Sequence, residues 1–146
     1  NSLADLHAAV ADGRQPLPTV WKSTRFGYDG KGVKFLNSAA DLHDLPDTPC
    51  LCEQPAAMAA EIAVTAARNA QGEVRCFPAC EMVFHPTANL VEEVVCPSFL
   101  SPAVLAEAEA LATRLIEALG ICGLLAVEFF YTTDGQLLVN EAAPRP

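Results

Sequence analysis

Cations are scarce in this chain: nine Lys and Arg stand against eighteen Asp and Glu, a formal net charge of -9 over 146 residues. That deficit excludes a broad nucleic-acid surface, which needs basic side chains clustered over one face to neutralise phosphates. Long apolar runs are missing as well. Although 51% of the residues are hydrophobic, no run approaches the roughly 18 residues that cross a membrane. No charged-then-apolar leader opens the sequence, so a membrane is not an expected partner. No internal repeat and no low-complexity tract appear. Six cysteines are present without a single CxxC, and none has a histidine in ligand register. A zinc site and a disulfide framework are both disfavoured. The thiols read instead as reduced, small core residues, which points to a cytoplasmic setting.

What remains is an α+β pattern of one domain's length. Ser2 and Asp5 have the spacing of a capping box, Leu3, Leu6 and Val10 recur at helical spacing, and Gly13 stops that helix. "TVWKS" and "VKFL" are β-prone on either side of a glycine-rich loop, and Ser38 caps a short helix around Ala39 to Leu42. "CLCEQ" reads as a strand entering an apolar linker, "PAAMAA". Three β-like segments at hairpin spacing follow: "EIAVTAARN", "EVRCFPACEMVF" and "NLVEEVVCP". Ser101-Pro102 is an N-cap with proline at the first helical position, and Gly120 is the stop. Between them Val104, Ala108, Leu111, Leu115 and Leu119 form the expected core face, widened by Leu105, Ala112 and Ile116. A last hairpin joins "GLLAVEFFY" to "QLLVNEAAP" through Thr-Thr-Asp-Gly.

Two stretches carry chemistry. Four of the nine cations, Lys22, Arg25, Lys31 and Lys34, fall within thirteen positions around Gly27, Gly30 and Gly32. This is neither the Walker loop nor the dinucleotide fingerprint, both of which open a helix. It is a glycine-rich turn between strands, able to lay backbone N–H groups over phosphates. The final hairpin holds Glu128 and Glu141. A two-residue turn at Asp134-Gly135 sets them directly opposite; a four-residue turn makes them diagonal neighbours. Either register leaves both on one face. Facing carboxylates in apolar strands repel and need a counter-ion. With Asn140 adjacent, oxygen ligands of this kind suit Mg²⁺ shared with substrate phosphates. Loop and hairpin together describe a nucleotide site.

"TVWKSTRFGYDGKG", "EQ" with a glutamate eight positions beyond the first, "AARNAQGEV…FP" and "LLAVEFF…DGQLLVNEAAPRP" resemble the ATP-grasp region of the 5-(carboxyamino)imidazole ribonucleotide synthases. The resemblance covers nearly the whole chain, and "FGYDGKG" and "NEAAPRP" are its specific parts. It implies an ATP-grasp fold, two α+β subdomains with antiparallel sheets gripping the nucleotide. Residues 1–55 would be the lid subdomain and 56–146 the metal-binding one. It implies ATP-dependent carboxylation of aminoimidazole ribonucleotide with bicarbonate, through carboxyphosphate, in purine biosynthesis. By position, Lys22 would contact the ATP phosphates, and the loop of Arg25, Gly27, Tyr28, Asp29, Gly30, Lys31 and Gly32 would close over them. Glu53, Gln54, Pro55 and Ala56 would form the hinge that reads adenine, Glu61 would take the ribose hydroxyls, and His85 would lie near ATP. Glu128 and Glu141 would hold Mg²⁺ beside Asn140, and Arg145 would help bind bicarbonate or the substrate's phosphate.

The family continues past "APRP" and carries further domains, so a fragment of a larger, homodimeric enzyme is expected, with at most slow ATP hydrolysis by this segment. The hinge, "CEQPAAMAAE", is richer in alanine than the family pattern. Two rival readings remain: another ATP-grasp ligase, such as a formate-dependent glycinamide ribonucleotide transformylase or a biotin carboxylase, and a non-catalytic nucleotide-binding module.

Overall fold

A computed structural model describes residues 2–25, 32–85 and 91–146. The chain divides into two compact units, Asn1–Pro55 and Ala56–Pro146.

In the first unit, helix α1 (Leu3–Ala11) starts from the anticipated capping box. The Ser2 hydroxyl accepts from the Asp5 N–H at 3.1 Å, and the Asp5 carboxylate accepts from the Ser2 N–H at 3.0 Å. Strands β1 (Thr19–Ser23), β2 (Val33–Leu36) and β3 (Cys50–Glu53) form an antiparallel sheet with β1 in the centre. A 3₁₀ helix, Ala39–Asp44, follows Ser38. Asp41 secures its entry by accepting from the backbone N–H groups of Asn37 and Ser38, both at 2.8 Å. Leu6, Trp21, Leu36, Leu42, Leu45 and Cys50 make the core.

In the second unit, β4 (Met58–Arg68), β5 (Val74–Cys76), β6 (Cys80–Phe84), β7 (Val91–Val95), β8 (Gly123–Thr132) and β9 (Leu137–Arg145) form one antiparallel sheet. Its order is β7-β6-β4-β8-β9, with β5 also on β4. Helix α2 (Pro102–Ala118) lies on one face. The Ser101 hydroxyl caps it at the Val104 N–H, and Gly120 follows with φ 63°. Alternation along the strands sends Ile62, Val64, Ala66, Leu125, Val127 and Phe129 into the core beneath α2. Glu61, Ala63 and Glu128 therefore stand on the other face.

Three details depart from the sequence reading. "EVRCFPACEMVF" is two strands rather than one: Pro78 has no N–H to give the ladder, so β5 and β6 pair separately with β4. The helix buries Ala108, Ala112 and Ile116, with Leu111 and Leu115 partly covered, while Leu119 is 56% exposed. Alanines at 108 and 112 let the helix axis approach the sheet, and that turns its inner face toward the alanine row. Finally, of the six free cysteines only Cys50 is buried; Cys96 and Cys122 are exposed. Cys52 and Cys76 are partly buried and pack against the two cores, so the expectation of core thiols fails outright only for Cys96 and Cys122, which lie just outside the strands.

Candidate functional site

In the first unit the central residue is Lys22. Its place on the middle strand sets it opposite Val33 on one side and Leu51 on the other. Diagonal neighbours across an antiparallel pair share a face, which brings Glu53 to it. The Lys22 ammonium sits 2.7 Å from the Glu53 carboxylate, with the two side chains 24% and 46% exposed. The backbone carbonyl of Glu53 accepts from the Thr19 hydroxyl at 2.9 Å. Thr19 is buried, so this hydroxyl fixes the direction of the carbonyl that heads the anticipated hinge. Sequence reasoning missed Thr19, since a strand threonine carries no signal of its long-range partner.

The glycine loop joins β1 to β2. Gly27, Tyr28, Asp29, Gly30 and Lys31 lie outside the described residues. Arg25 is exposed just before them, and Gly32 just after them has φ 87°, a left-handed conformation natural to glycine. The Ser23 N–H donates to the Gly32 carbonyl at 2.8 Å and closes the base of the hairpin. Gln54 and Pro55 end the first unit and Ala56 begins the second.

In the second unit the outer sheet face collects the remaining candidates. Glu128 pairs with Ala63 on β4 and with Glu141 on β9. The direct opposition is the pairing a two-residue turn would give, but the turn itself is different. Thr133–Gly135 form a three-residue connection, with Gly135 at φ 84° and the Thr132 N–H donating to the Gln136 carbonyl at 2.9 Å. That connection sets Phe129 against Val139, and the same register continued would oppose Glu128 to Asn140 and turn Glu141 to the helix side. The register shifts at this step, leaving Asn140 as an extra residue on β9. The bulge restores the two glutamates to one face.

Leu124 pairs with Arg145, four residues beyond Glu141 on the same strand and face. Glu61, paired with Phe130, stands two residues along β4 from Ala63. Burial first, and then the facing Glu141, push the Glu128 carboxyl above its usual range, while Arg145 pulls it back. His85 is exposed immediately after β6. Among the described residues no three His, Cys, Asp or Glu side chains cluster as a self-sufficient metal cage. A facing pair of carboxylates, one of them electrostatically stressed, fits a hard divalent cation that takes its remaining ligands from water and phosphate. An open depression of about 330 Å³ lies at the Leu124 end of the sheet, lined by Ala67, Arg68, Asn69, Glu73, Arg75, Gly123 and Leu124. No sequence-predicted site residue lines it.

A profile of the ATP-grasp domain matches residues 2–146. The chain belongs to the ATP-grasp family. The antiparallel sheets and few helices described above are the expected ATP-grasp architecture. Among relatives of this ATP-grasp chain is the N5-carboxyaminoimidazole ribonucleotide synthase of Bacillus subtilis, 36% identical over 97% of the chain and 37% of that protein. A solved N5-carboxyaminoimidazole ribonucleotide synthetase in an ADP complex superposes with a TM-score of 0.82 at 34% identity, covering 98% of this chain and 38% of that one. The Aspergillus clavatus enzyme, in complex with ADP and 5-aminoimidazole ribonucleotide, gives a TM-score of 0.77 at 26% identity over 94% of this chain and 36% of that one. The chain thus spans little more than a third of the length of these relatives.

Proposed function

We propose that this chain is the ATP- and Mg²⁺-binding part of a ligase that carboxylates aminoimidazole ribonucleotide with bicarbonate in purine biosynthesis. The observation that carries the reading is the outer face of the second unit. There a bulge sets Glu128 opposite Glu141, with Arg145 on the same strand and face. The similarity to N5-carboxyaminoimidazole ribonucleotide synthases across 97% of the chain supports the choice of substrate.

On this reading residues 1–55 are the lid and residues 56–146 the metal-binding subdomain. Lys22 leaves Glu53 and neutralises ATP phosphates, while the glycine loop from Arg25 to Gly32, with Tyr28, Asp29 and Lys31, supplies backbone donors over them. Glu53, Gln54, Pro55 and Ala56 read the adenine edge, and Thr19 holds the first carbonyl of that segment in place. Glu61 takes the ribose hydroxyls, and His85 stands near the nucleotide. Glu128 and Glu141, beside Asn140, are the ligands for Mg²⁺, which when bound would offset phosphate charge. Arg145 holds bicarbonate by charge-assisted hydrogen bonds and orients an oxygen toward the γ-phosphorus. Transfer of the phosphoryl group gives carboxyphosphate and ADP. The amine of the ribonucleotide then attacks the carboxyl carbon and expels phosphate. Excluding water protects carboxyphosphate, and the full-length enzyme, expected to be a homodimer, supplies what this segment does not.

The test is ADP release and N-carboxylated product measured together in the full-length enzyme carrying this segment. ADP release that depends on both bicarbonate and aminoimidazole ribonucleotide, lost at least tenfold in Arg145→Met, is the expected outcome. ATP turnover driven by formate or biotin, and indifferent to aminoimidazole ribonucleotide, would replace this reading with another ATP-grasp ligase.

A further inference from the structure

Cys80 opens β6, and Cys96 immediately follows β7. These strands pair with Met82 opposite Val94 and Glu81 opposite Val95. One step further along the same register sets Cys80 opposite Cys96. Their sulfurs converge on one acceptor: Cys80 Sγ reaches the Pro78 carbonyl at 3.6 Å and Cys96 Sγ reaches it at 3.8 Å. Interaction with the Cys96 thiol first, and then burial, push the Cys80 thiol up to about 11. Residues directly opposite on antiparallel strands have Cα atoms roughly 4.5–5.5 Å apart. A disulfide needs roughly 4.4–6.8 Å. The register therefore brings the two cysteines within reach of a disulfide.

The pair also has a place relative to the site. Cys80 pairs with Ala63, Ala63 with Glu128, and Glu128 with Glu141. Cys96, Cys80, Ala63, Glu128 and Glu141 therefore form one transverse row on the outer sheet face. At roughly 4.8 Å per strand, Cys80 stands roughly 10 Å from Glu128.

We propose that Cys80 and Cys96 are a modification site, a dithiol that closes to a cross-strand disulfide by exchange with a small-molecule disulfide. The exposed thiol, Cys96, ionises and attacks one sulfur of the reagent, breaking its S–S bond and releasing one thiolate. Cys80 then loses its proton to solvent and attacks the Cys96 sulfur of the mixed disulfide, expelling the second thiolate. Two protein thiols are oxidised, one S–S bond of the reagent is reduced, and two reagent thiols leave. The high-lying Cys80 thiol makes the second step favour alkaline pH. The fixed opposition of the two sulfurs gives it the advantage of an intramolecular reaction.

The chain incubated with excess oxidised glutathione, then digested without reduction and analysed by mass spectrometry, tests this. The expected product is a peptide linking Cys80 to Cys96, lighter by two hydrogens than the separate thiols and reopened by dithiothreitol. It should exceed the Cys96–glutathione adduct at least tenfold. Exposed Cys122, with no opposing thiol, should carry glutathione and so reports that the reagent reached the protein. In Cys80→Ser, glutathione should remain on Cys96. Two results would overturn the proposal: stable glutathione on Cys96 of the unaltered chain without the internal link, or modification of Cys122 while Cys80 and Cys96 both stay reduced.

Discussion

Glu128 is raised in the folded state by burial and by Glu141, so ionising it works against the fold. A carboxyl with a raised folded pKa contributes stability below its unfolded pKa and loses it as pH climbs through the folded value. Glu128→Gln should therefore stabilise the metal-free chain at neutral pH by ~0.2–1 kcal/mol, the scale of a cross-strand like-charge pair. That advantage should shrink as pH falls through the carboxylate range, which chemical denaturation of both proteins at several pH values will show. Lys22 makes the complementary case. Its pairing with Glu53 is partly exposed, and such pairs contribute only ~0–1 kcal/mol. Lys22→Met should leave the melting temperature nearly unchanged. It should weaken ATP binding roughly tenfold or more, the loss expected for a charge-assisted contact to phosphate. Calorimetric titration separates the two effects. Both glutamates and the lysine were legible in the sequence because charge in an apolar strand is conspicuous. The ion pair of Lys22 was not, because it depends on β1 and β3 becoming neighbours.

The element that decides the site is the β8–β9 hairpin. Gly135 holds φ 84° in its connection, and a Cβ there would meet the Tyr131 hydroxyl at 3.8 Å, so conformation and not crowding is the obstacle. Gly135→Ala should cost ~1 kcal/mol of stability. Because the bulge at Asn140 lies between the turn and the glutamates, Mg²⁺-dependent nucleotide affinity should change less than threefold, measurable by the same titration. The hairpin itself was readable from alternating apolar residues and an Asp-Gly turn. So was the direct opposition of Glu128 and Glu141, one of the two registers open from the sequence, but not the path that reaches it. Turn length and bulge are set by hydrogen bonds such as that from the Gln136 N–H to the Thr132 hydroxyl, 2.8 Å, and two shifts of one residue compensate. "EVRCFPACEMVF" read as one segment, and its division into β5 and β6 emerged only from both pairing with the same strand. In α2 the caps at Ser101 and Gly120 were legible, whereas the rotation of its inner face depended on the sheet it met.

At the scale of the molecule, the ATP-grasp assignment rests on the profile match over residues 2–146, and the proposed nucleotide role adds two charge pairs, Lys22 beside Glu53 and Glu128 opposite Glu141. If the chain binds Mg-ATP as proposed, saturating ligand at a hundredfold excess over its Kd should stabilise it by ~2.7 kcal/mol through mass action. The isolated chain, a little over a third of its relatives' length, should hydrolyse ATP slowly at most and form no carboxylated ribonucleotide. Acceptor-dependent turnover by residues 1–146 alone would place the acceptor site within this segment. The most direct test of the central claim is isothermal calorimetry of ATP binding, with and without Mg²⁺, to the unaltered chain and to Glu141→Gln. The account predicts that Mg²⁺ tightens ATP binding at least tenfold in the unaltered chain and that Glu141→Gln removes most of that gain while remaining folded. Equal ATP affinity with and without Mg²⁺ in the unaltered chain, or an undiminished gain in the variant, would contradict it.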